Sequence, residues 1–143
     1  CIREVLPHMK SQGWGRIVNL TNLAARAPAA RSVPTSVTRA AGIALTKALS
    51  KEYAADNVLV NTVCIGLIKA GQHEHRYSLA QTSDPSLTLE QYYDQMAQRA
   101  GNPMGRVGES REAADVIAFL VSERASYITG VAINIDGGTS PVV

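Results

Sequence analysis

Short apolar runs alternate with longer amphipathic stretches along this chain. Residues 16–21, 58–63 and 131–135 are largely apolar and bounded by turn residues, which predicts three short strands covered on both faces. Between the first two runs, apolar positions recur every three or four residues from about 35 to 54, which predicts a helix. The order strand, helix, strand is typical of a βαβ unit with parallel strands.

The second half of the chain carries two further helical patterns. Thr88 and Gln91 have the spacing of a capping box, and an apolar face follows them until Gly101. Ser110 is the predicted N-cap of the last helix. Residues 66–86 show no clear period, so we expect a long loop there that acts as a lid.

The first ten residues have the pattern of a helix tail. The chain starts with Cys1 rather than Met, and no N-capping residue precedes the apolar positions, so we expect it to begin inside an element. In the turn that follows, Gly13 and Gly15 suit a positive φ. The sequence contains no internal repeat or low-complexity segment and no sign of a second domain, so we predict one α/β unit over residues 1–143.

Composition and charge exclude several classes of function. The hydrophobic content of 45% is ordinary for a globular domain, and a net charge of +2 without a dense basic run argues against a nucleic-acid partner. The longest apolar stretch, residues 58–70, contains Asn61 and Lys69 and is shorter than the roughly 20 residues of a membrane helix. We therefore expect no membrane partner. Cys1 and Cys64 form no disulfide framework, so we expect a cytoplasmic protein.

No metal site is predicted. His73 and His75 are two residues apart, and the sequence around them offers no further ligand at a matching spacing. We interpret the pair as part of a solvated turn.

Several segments, taken together, resemble the short-chain dehydrogenase/reductase family. They are residues 7–10, 15–20, 44–49, 60–63, 103–108, 126–130 and 136–138. The resemblance covers nearly the whole chain except residues 69–101. It implies the carboxy-terminal half of a single doubly wound, Rossmann-like parallel sheet, with a lid at about 67–107.

The resemblance also implies a cofactor and a reaction. Members of the family bind NAD or NADP and move hydride between the cofactor and a small-molecule carbonyl or alcohol substrate. The Gly-rich turn that holds the cofactor pyrophosphate in the family does not occur in this sequence. We therefore expect this chain alone to bind the cofactor weakly.

Three positions correspond to the catalytic residues of the family. The family uses a Tyr, a Lys four residues later on the same helix face, and a Ser about a dozen residues before the Tyr. The resemblance places Thr35 at the Tyr position, Arg39 at the Lys position and Asn22 at the Ser position. An aliphatic hydroxyl is a far weaker acid than a phenol, whose pKa is about 10. A guanidinium keeps the positive charge but does not release its proton.

The predicted cofactor-facing segment has changed as well. The Pro-Gly pair of the family is Ile65 and Gly66 here, and a Thr a few residues later is Ala70. The resemblance implies that Gly66, the amide of Ile68 and the charge of Arg39 would still contact the cofactor. Ala70 lacks the hydroxyl of the family's Thr, so this contact with the cofactor would be lost.

These substitutions leave two hypotheses open. The first is an oxidoreductase whose hydride transfer is impaired or absent, unless Tyr77, Tyr92 or Tyr93 of the lid replaces the lost phenol. The second is a non-catalytic homologue that acts as an oligomer partner or a ligand-binding module. The resemblance implies a homodimer or homotetramer, because the helix at 36–54 belongs in the family to a four-helix bundle across a dimer axis.

Overall fold

A computed structural model gives the fold and describes residues 1–142. The helices are α1 (Ile2–Gln12), α2 (Thr35–Tyr53), α3 (Gly71–Gln81), α4 (Leu89–Arg99) and α5 (Ser110–Val121). The strands are β1 (Gly15–Asn22), β2 (Val58–Ile65) and β3 (Ala132–Ile135). Single 3-10 turns lie at Leu23–Ala25, Ala54–Asp56 and Glu123–Ala125. Among the described residues, no helix is long and apolar enough to cross a membrane.

The three strands form one parallel sheet with β2 in the centre, which confirms the predicted α/β class. Asn22 pairs with Ile65, and Ile65 pairs with Ile135, so all three strands end at the same edge. Ligands of open parallel sheets bind beyond the carboxyl ends of the strands. This carboxyl edge is therefore the first place to look for a site.

The buried core forms around β2, whose residues from Val58 to Cys64 are all buried. Leu6 of α1 packs with Val58 and Val60, and the half-buried Leu49 of α2 lies against them. A strand in the middle of a parallel sheet is covered on both faces, which is why its sequence is a nearly continuous apolar run.

A chain of buried hydroxyl and amide groups fixes α2 on the sheet. The Nδ2 atom of Asn19 donates to Oγ1 of Thr46 at 2.8 Å, and Thr46 Oγ1 lies 2.6 Å from Thr62 Oγ1. Buried polar side chains need such partners, so these bonds define one position of α2 relative to β1 and β2. They also position the first two turns of α2, where two of the predicted site residues lie.

The prediction of a long loop over residues 66–86 was wrong for residues 71–81. Eleven of these residues form α3, Gly71–Gln81, in which His73 is the buried residue. The helix is mostly polar, so it shows no apolar stripe that could be recognised in the sequence. The capping box of Thr88 and Gln91 at α4 is confirmed.

Two local predictions about caps and turns were also wrong. The N-cap of α5 is Glu109, which forms a capping box with Glu112, whereas the Ser110 hydroxyl donates to the carbonyl of Lys69 at 2.6 Å. Gly13 has the expected positive φ of 62°, but Gly15 does not have a positive φ. Gly15 is needed for space, because a Cβ there would lie 2.9 Å from a carbon of Val58.

Candidate functional site

The carboxyl end of β1 presents a buried polar atom that has no partner. Asn22 is the last residue of β1, and its Oδ1 atom is buried without a hydrogen bond in the described part of the chain. The 3-10 turn Leu23–Ala25 follows directly, and α2 packs against both β1 and this turn. Buried carbonyl oxygens are normally bonded, so an orphaned one at a sheet edge suggests a group that the chain itself does not provide.

The helix α2 brings Arg39 to the same end of β1. Its Nη1 atom lies 3.5 Å from the carbonyl oxygen of Leu20, at the long limit for a hydrogen bond. Thr35 lies one turn earlier on the same face of α2, and both side chains are exposed. Within residues 1–142 no hydrogen bond joins the side chains of Asn22, Thr35 and Arg39 to one another.

Arg26 holds the turn after Asn22 against the third strand. Its Nη1 atom donates to the carbonyl of Ala132 at 3.1 Å and to Oδ1 of Asn134 at 3.3 Å. Arg26 was not among the residues predicted from the sequence. The signal that could have identified it was a single arginine within a run of small apolar residues that follows a strand.

The end of β2 approaches the end of β3 through Gly66. The amide of Gly66 donates to the carbonyl of Ile135 at 2.9 Å, and a Cβ at this position would lie 2.6 Å from Cβ of Asp136. Only glycine fits such a close approach without moving the backbone. The glycine of the predicted cofactor-facing segment therefore has a clear packing role.

Ile68 presents its amide away from the neighbouring segment. It forms an isolated parallel bridge with Gly108, in which Gly108 donates to Leu67 and Lys69 donates to Gly108, both at 2.9 Å. In a parallel bridge these flanking groups make the bonds, so the N–H and C=O of Ile68 point to the other side.

Three tyrosines of α3 and α4 form no hydrogen bond with the side chains at the catalytic positions in the described part of the chain. The Tyr77 hydroxyl donates to the carbonyl of Leu87 at 3.1 Å and accepts from Nε2 of Gln81 at 2.7 Å. Tyr93 is buried beside Tyr92, and its hydroxyl has no partner in the described residues. Within residues 1–142 none of the three hydroxyls bonds to the side chains at the catalytic positions, so a replacement phenol from the lid finds no support.

Burial determines the ionisation of two further side chains. It raises the pKa of the Cys64 thiol at the end of β2, which keeps this thiol protonated at neutral pH. Burial, together with the charge of Arg76, lowers the pKa of His73, so its imidazole is neutral there. In the described part of the chain, no three His, Cys, Asp or Glu side chains are grouped so that they could hold a metal ion.

Comparisons with known proteins identify the family. The family model described as enoyl-(acyl carrier protein) reductase matches residues 1–140. The 3-oxoacyl-[acyl-carrier-protein] reductase FabG of Aquifex aeolicus is 39% identical over 133 residues, which are 93% of this chain and 48% of that protein. The NADPH-dependent reductase BacG of Bacillus subtilis is 36% identical over 138 residues, or 96% of this chain and 52% of that protein. The chain thus spans about half the length of the curated relatives it matches.

Solved structures give the same answer. One is an NADPH-bound short chain oxidoreductase from Pseudomonas aeruginosa PAO1, which contains an atypical catalytic center. It matches with a TM-score of 0.88 and 33% identity, and the match covers 99% of this chain and 52% of the oxidoreductase chain. L-sorbose reductase from Gluconobacter frateurii, complexed with NADPH and L-sorbose, has a TM-score of 0.89 and 29% identity, with coverages of 99% and 53%. The chain belongs to the short-chain dehydrogenase/reductase family.

Proposed function

We propose that the protein containing this chain binds NAD(H) or NADP(H) and reduces a small carbonyl substrate, with proton transfer impaired by the residues at its catalytic positions. The observation that carries the proposal is the orphaned Oδ1 of Asn22 at the carboxyl edge, beside the cationic Arg39 on α2. A polar ligand that donates a hydrogen bond would satisfy this oxygen.

Residues 1–143 serve in this proposal as the carboxy-terminal part of one Rossmann-like domain, with a lid at 67–107. The arrangement of α3 and α4 supports it, because the bridge between Ile68 and Gly108 closes the segment that contains both helices.

The residues at this edge fit the nicotinamide end of the cofactor. The amide of Ile68 points away from Gly108 and is positioned to donate to a carboxamide oxygen. The Arg39 guanidinium would bind ribose hydroxyls with its fork of donors. When bound, the cofactor supplies the hydride. The NADPH held by the Pseudomonas oxidoreductase with an atypical catalytic center supports cofactor binding despite altered catalytic positions.

The same residues explain why proton transfer would be slow. A proton donor works best when its pKa lies near the working pH, and the Thr35 hydroxyl is a much weaker acid than a phenol. Arg39 would stabilise negative charge on the substrate oxygen without giving up a proton. The amide of Asn22 would orient the carbonyl by donating from Nδ2. In this proposal, substrate binding is thus better preserved than proton transfer to the substrate.

The test uses the full-length protein with NADH and NADPH. Cofactor binding is measured by fluorescence titration, and turnover is measured across a panel of aldehydes and ketones. We expect saturable binding with turnover at least about 10²-fold below the values near 10 s⁻¹ typical of enzymes. Absence of cofactor binding would refute the proposal, and ordinary turnover would refute the impairment.

A second candidate function is a non-catalytic oligomer partner, and the groove between α1 and α2 favours it. Leu6, Leu45 and Leu49 line this groove, and Leu45 is 47% exposed. An apolar groove of this kind fits a second copy of the chain in a homodimer or homotetramer. Leu45→Glu should convert the oligomer to monomers in sedimentation experiments. An unchanged oligomer would exclude this surface.

A cytoplasmic location remains part of the proposal. Both cysteines are free thiols, with Cys1 exposed and Cys64 buried, and unpaired cysteines are usual in a reducing compartment. Fractionation of cells that express the tagged full-length protein tests the location.

A further inference from the structure

The segment that follows Asn22 contains a single residue with a polar side chain. Residues 23–30 are Leu, Ala or Pro except for Arg26. The amide of Arg26 also closes the 3-10 turn Leu23–Ala25, because it donates to the carbonyl of Leu23 at 3.0 Å. Any hydrogen bond that a side chain of this segment makes is therefore made by Arg26.

The Arg26 side chain reaches from this turn to β3. Its Nη1 atom donates to the carbonyl of Ala132 and to Oδ1 of Asn134, although β2 lies between β1 and β3 in the sheet. Cys64 of β2 pairs with Asn134. Burial raises the pKa of the Cys64 thiol, and the charge of Arg26 acts in the opposite direction, as expected for a guanidinium close to β2. Arg26 thus ties the turn after β1 to the far side of the sheet.

The acceptor that Arg26 meets on β3 is itself fixed. Oδ1 of Asn134 accepts from Arg26, and Nδ2 of Asn134 donates to the carbonyl of Val142 at 3.1 Å. A flip of the amide would place a donor against the guanidinium and an acceptor against a carbonyl oxygen, so both bonds would be lost. Asn134 therefore holds one orientation.

The side chain of Asn22 depends on its backbone for its position. Within residues 1–142 no hydrogen bond holds this side chain, and its buried Oδ1 has no partner. The turn that Arg26 ties to β3 begins with the next residue, Leu23. A displacement of about 1 Å at a group that orients a substrate can cost on the order of 10²-fold in rate. Whatever holds the turn therefore controls the position of Asn22.

We infer that Arg26 is a positioning residue of the candidate site, because its bonds to β3 hold the turn so that the amide of Asn22 meets the substrate carbonyl. This role rests on the proposed function, in which Asn22 orients the carbonyl. Arg26 lies outside the catalytic and cofactor positions that the family resemblance implies. It contacts neither substrate nor cofactor in this role and acts through Asn22.

The test measures kcat/KM of the full-length protein with benzaldehyde, cyclohexanone and diacetyl as probes and NADH or NADPH as cofactor. Arg26→Met keeps a long side chain but removes its donors. It should lower kcat/KM about tenfold and leave the Kd of the cofactor within about twofold. The matched control is Arg31→Met, which removes the same charge from an exposed position of the same loop and should change neither quantity.

A double-mutant cycle separates positioning from a general loss of structure. Asn22→Ala should lower kcat/KM, and adding Arg26→Met should cause no further loss, because the group that Arg26 positions is then absent. Asn134→Leu removes one acceptor of Arg26 and should also lower kcat/KM. Asn134→Asp keeps an acceptor at the same place, so it should retain most of the kcat/KM.

Two results would overturn the role of Arg26 and leave the proposed function standing: an unchanged kcat/KM in Arg26→Met, or additive losses in the double variant. A natural protein that binds neither cofactor or reduces none of the probes would refute the proposed function, and the role of Arg26 with it. If Arg26→Met does not fold, the comparison of Asn134→Leu with Asn134→Asp decides the matter, because Arg26 keeps its bond to Ala132 in both.

Discussion

Gly66 and Asp136 approach each other so closely that a methyl group on Gly66 would lie 2.6 Å from Cβ and 2.7 Å from Cα of Asp136. Real Cβ atoms do not make such contacts with a backbone atom, so an added side chain would push the ends of β2 and β3 apart. The segment that continues to Ile68 begins at Gly66. Its position depends on the fact that glycine has no side chain there.

Gly66→Ala should therefore lower the free energy of unfolding by about 1–3 kcal/mol, the usual range for overpacking. The matched control is Gly42→Ala in α2, where no atom beyond the chain neighbours and the backbone of the same helix lies within 4 Å of the added Cβ. That change should raise the free energy of unfolding by roughly 0.5–1 kcal/mol, because alanine is the better helix former. Urea denaturation of both variants measures the difference. Equal effects would contradict the packing role of Gly66.

The hydroxyls of Tyr77 and Tyr93 differ in their partners and should differ in their contribution to stability. Tyr77→Phe removes the bonds to Leu87 and Gln81 and should cost about 0.5–1.5 kcal/mol. Tyr93→Phe removes a buried hydroxyl without a partner, so stability should stay the same or rise slightly. Thermal and urea unfolding compare the two. A loss at Tyr93 as large as at Tyr77 would mean that its hydroxyl is bonded.

Acid should weaken the ion pair between Arg106 and Glu112. Both guanidinium Nη atoms donate to the carboxylate at 2.7 Å, and with the Glu109 amide they lower the pKa of Glu112 from 4.5 to about 2. The unfolded chain therefore binds more protons between these two values. The stabilisation is complete above pH 4.5 and is lost as the pH falls towards 2.

Glu112→Gln should accordingly have a lower free energy of unfolding than the natural protein above pH 4.5. This difference, or gap, should disappear towards pH 2. Urea unfolding at a series of pH values measures it. Arg106→Gln removes the other partner and should flatten the same pH dependence. A gap that does not change with pH would show that this pair contributes nothing through ionisation.

The strands and α2 could be predicted because their sequence patterns reflect the burial that stabilises them. β2 is apolar except at Asn61 and Thr62 and is covered on both faces. Thr88 with Gln91 forms a cap within four residues of sequence. α3 could not be predicted, since its one buried residue is His73. The N-cap of α5 was missed because a contact 41 residues away in sequence, from Ser110 to Lys69, engages the expected capping hydroxyl.

The places of Asn22 and Arg39 in the fold could be predicted from the sequence, but the contacts around them could not. The family pattern placed Asn22 at a strand end and Arg39 on the following helix, and the structure agrees with both placements. The orphaned oxygen of Asn22 depends on tertiary packing around the end of β1, and the support from Arg26 depends on its contact with the distant β3. No spacing in the sequence encodes such contacts.

The most direct test of the proposed impairment of proton transfer is the turnover of full-length protein carrying Thr35→Tyr together with Arg39→Lys. Cofactor affinity is measured in parallel, and Thr38→Tyr, which adds a phenol to another exposed position of α2, serves as the control. The account predicts that carbonyl reduction by the double variant rises at least about 10²-fold, the usual contribution of a positioned acid, while the control does not change. Turnover that stays at the level of the natural protein, although the cofactor still binds, would contradict it.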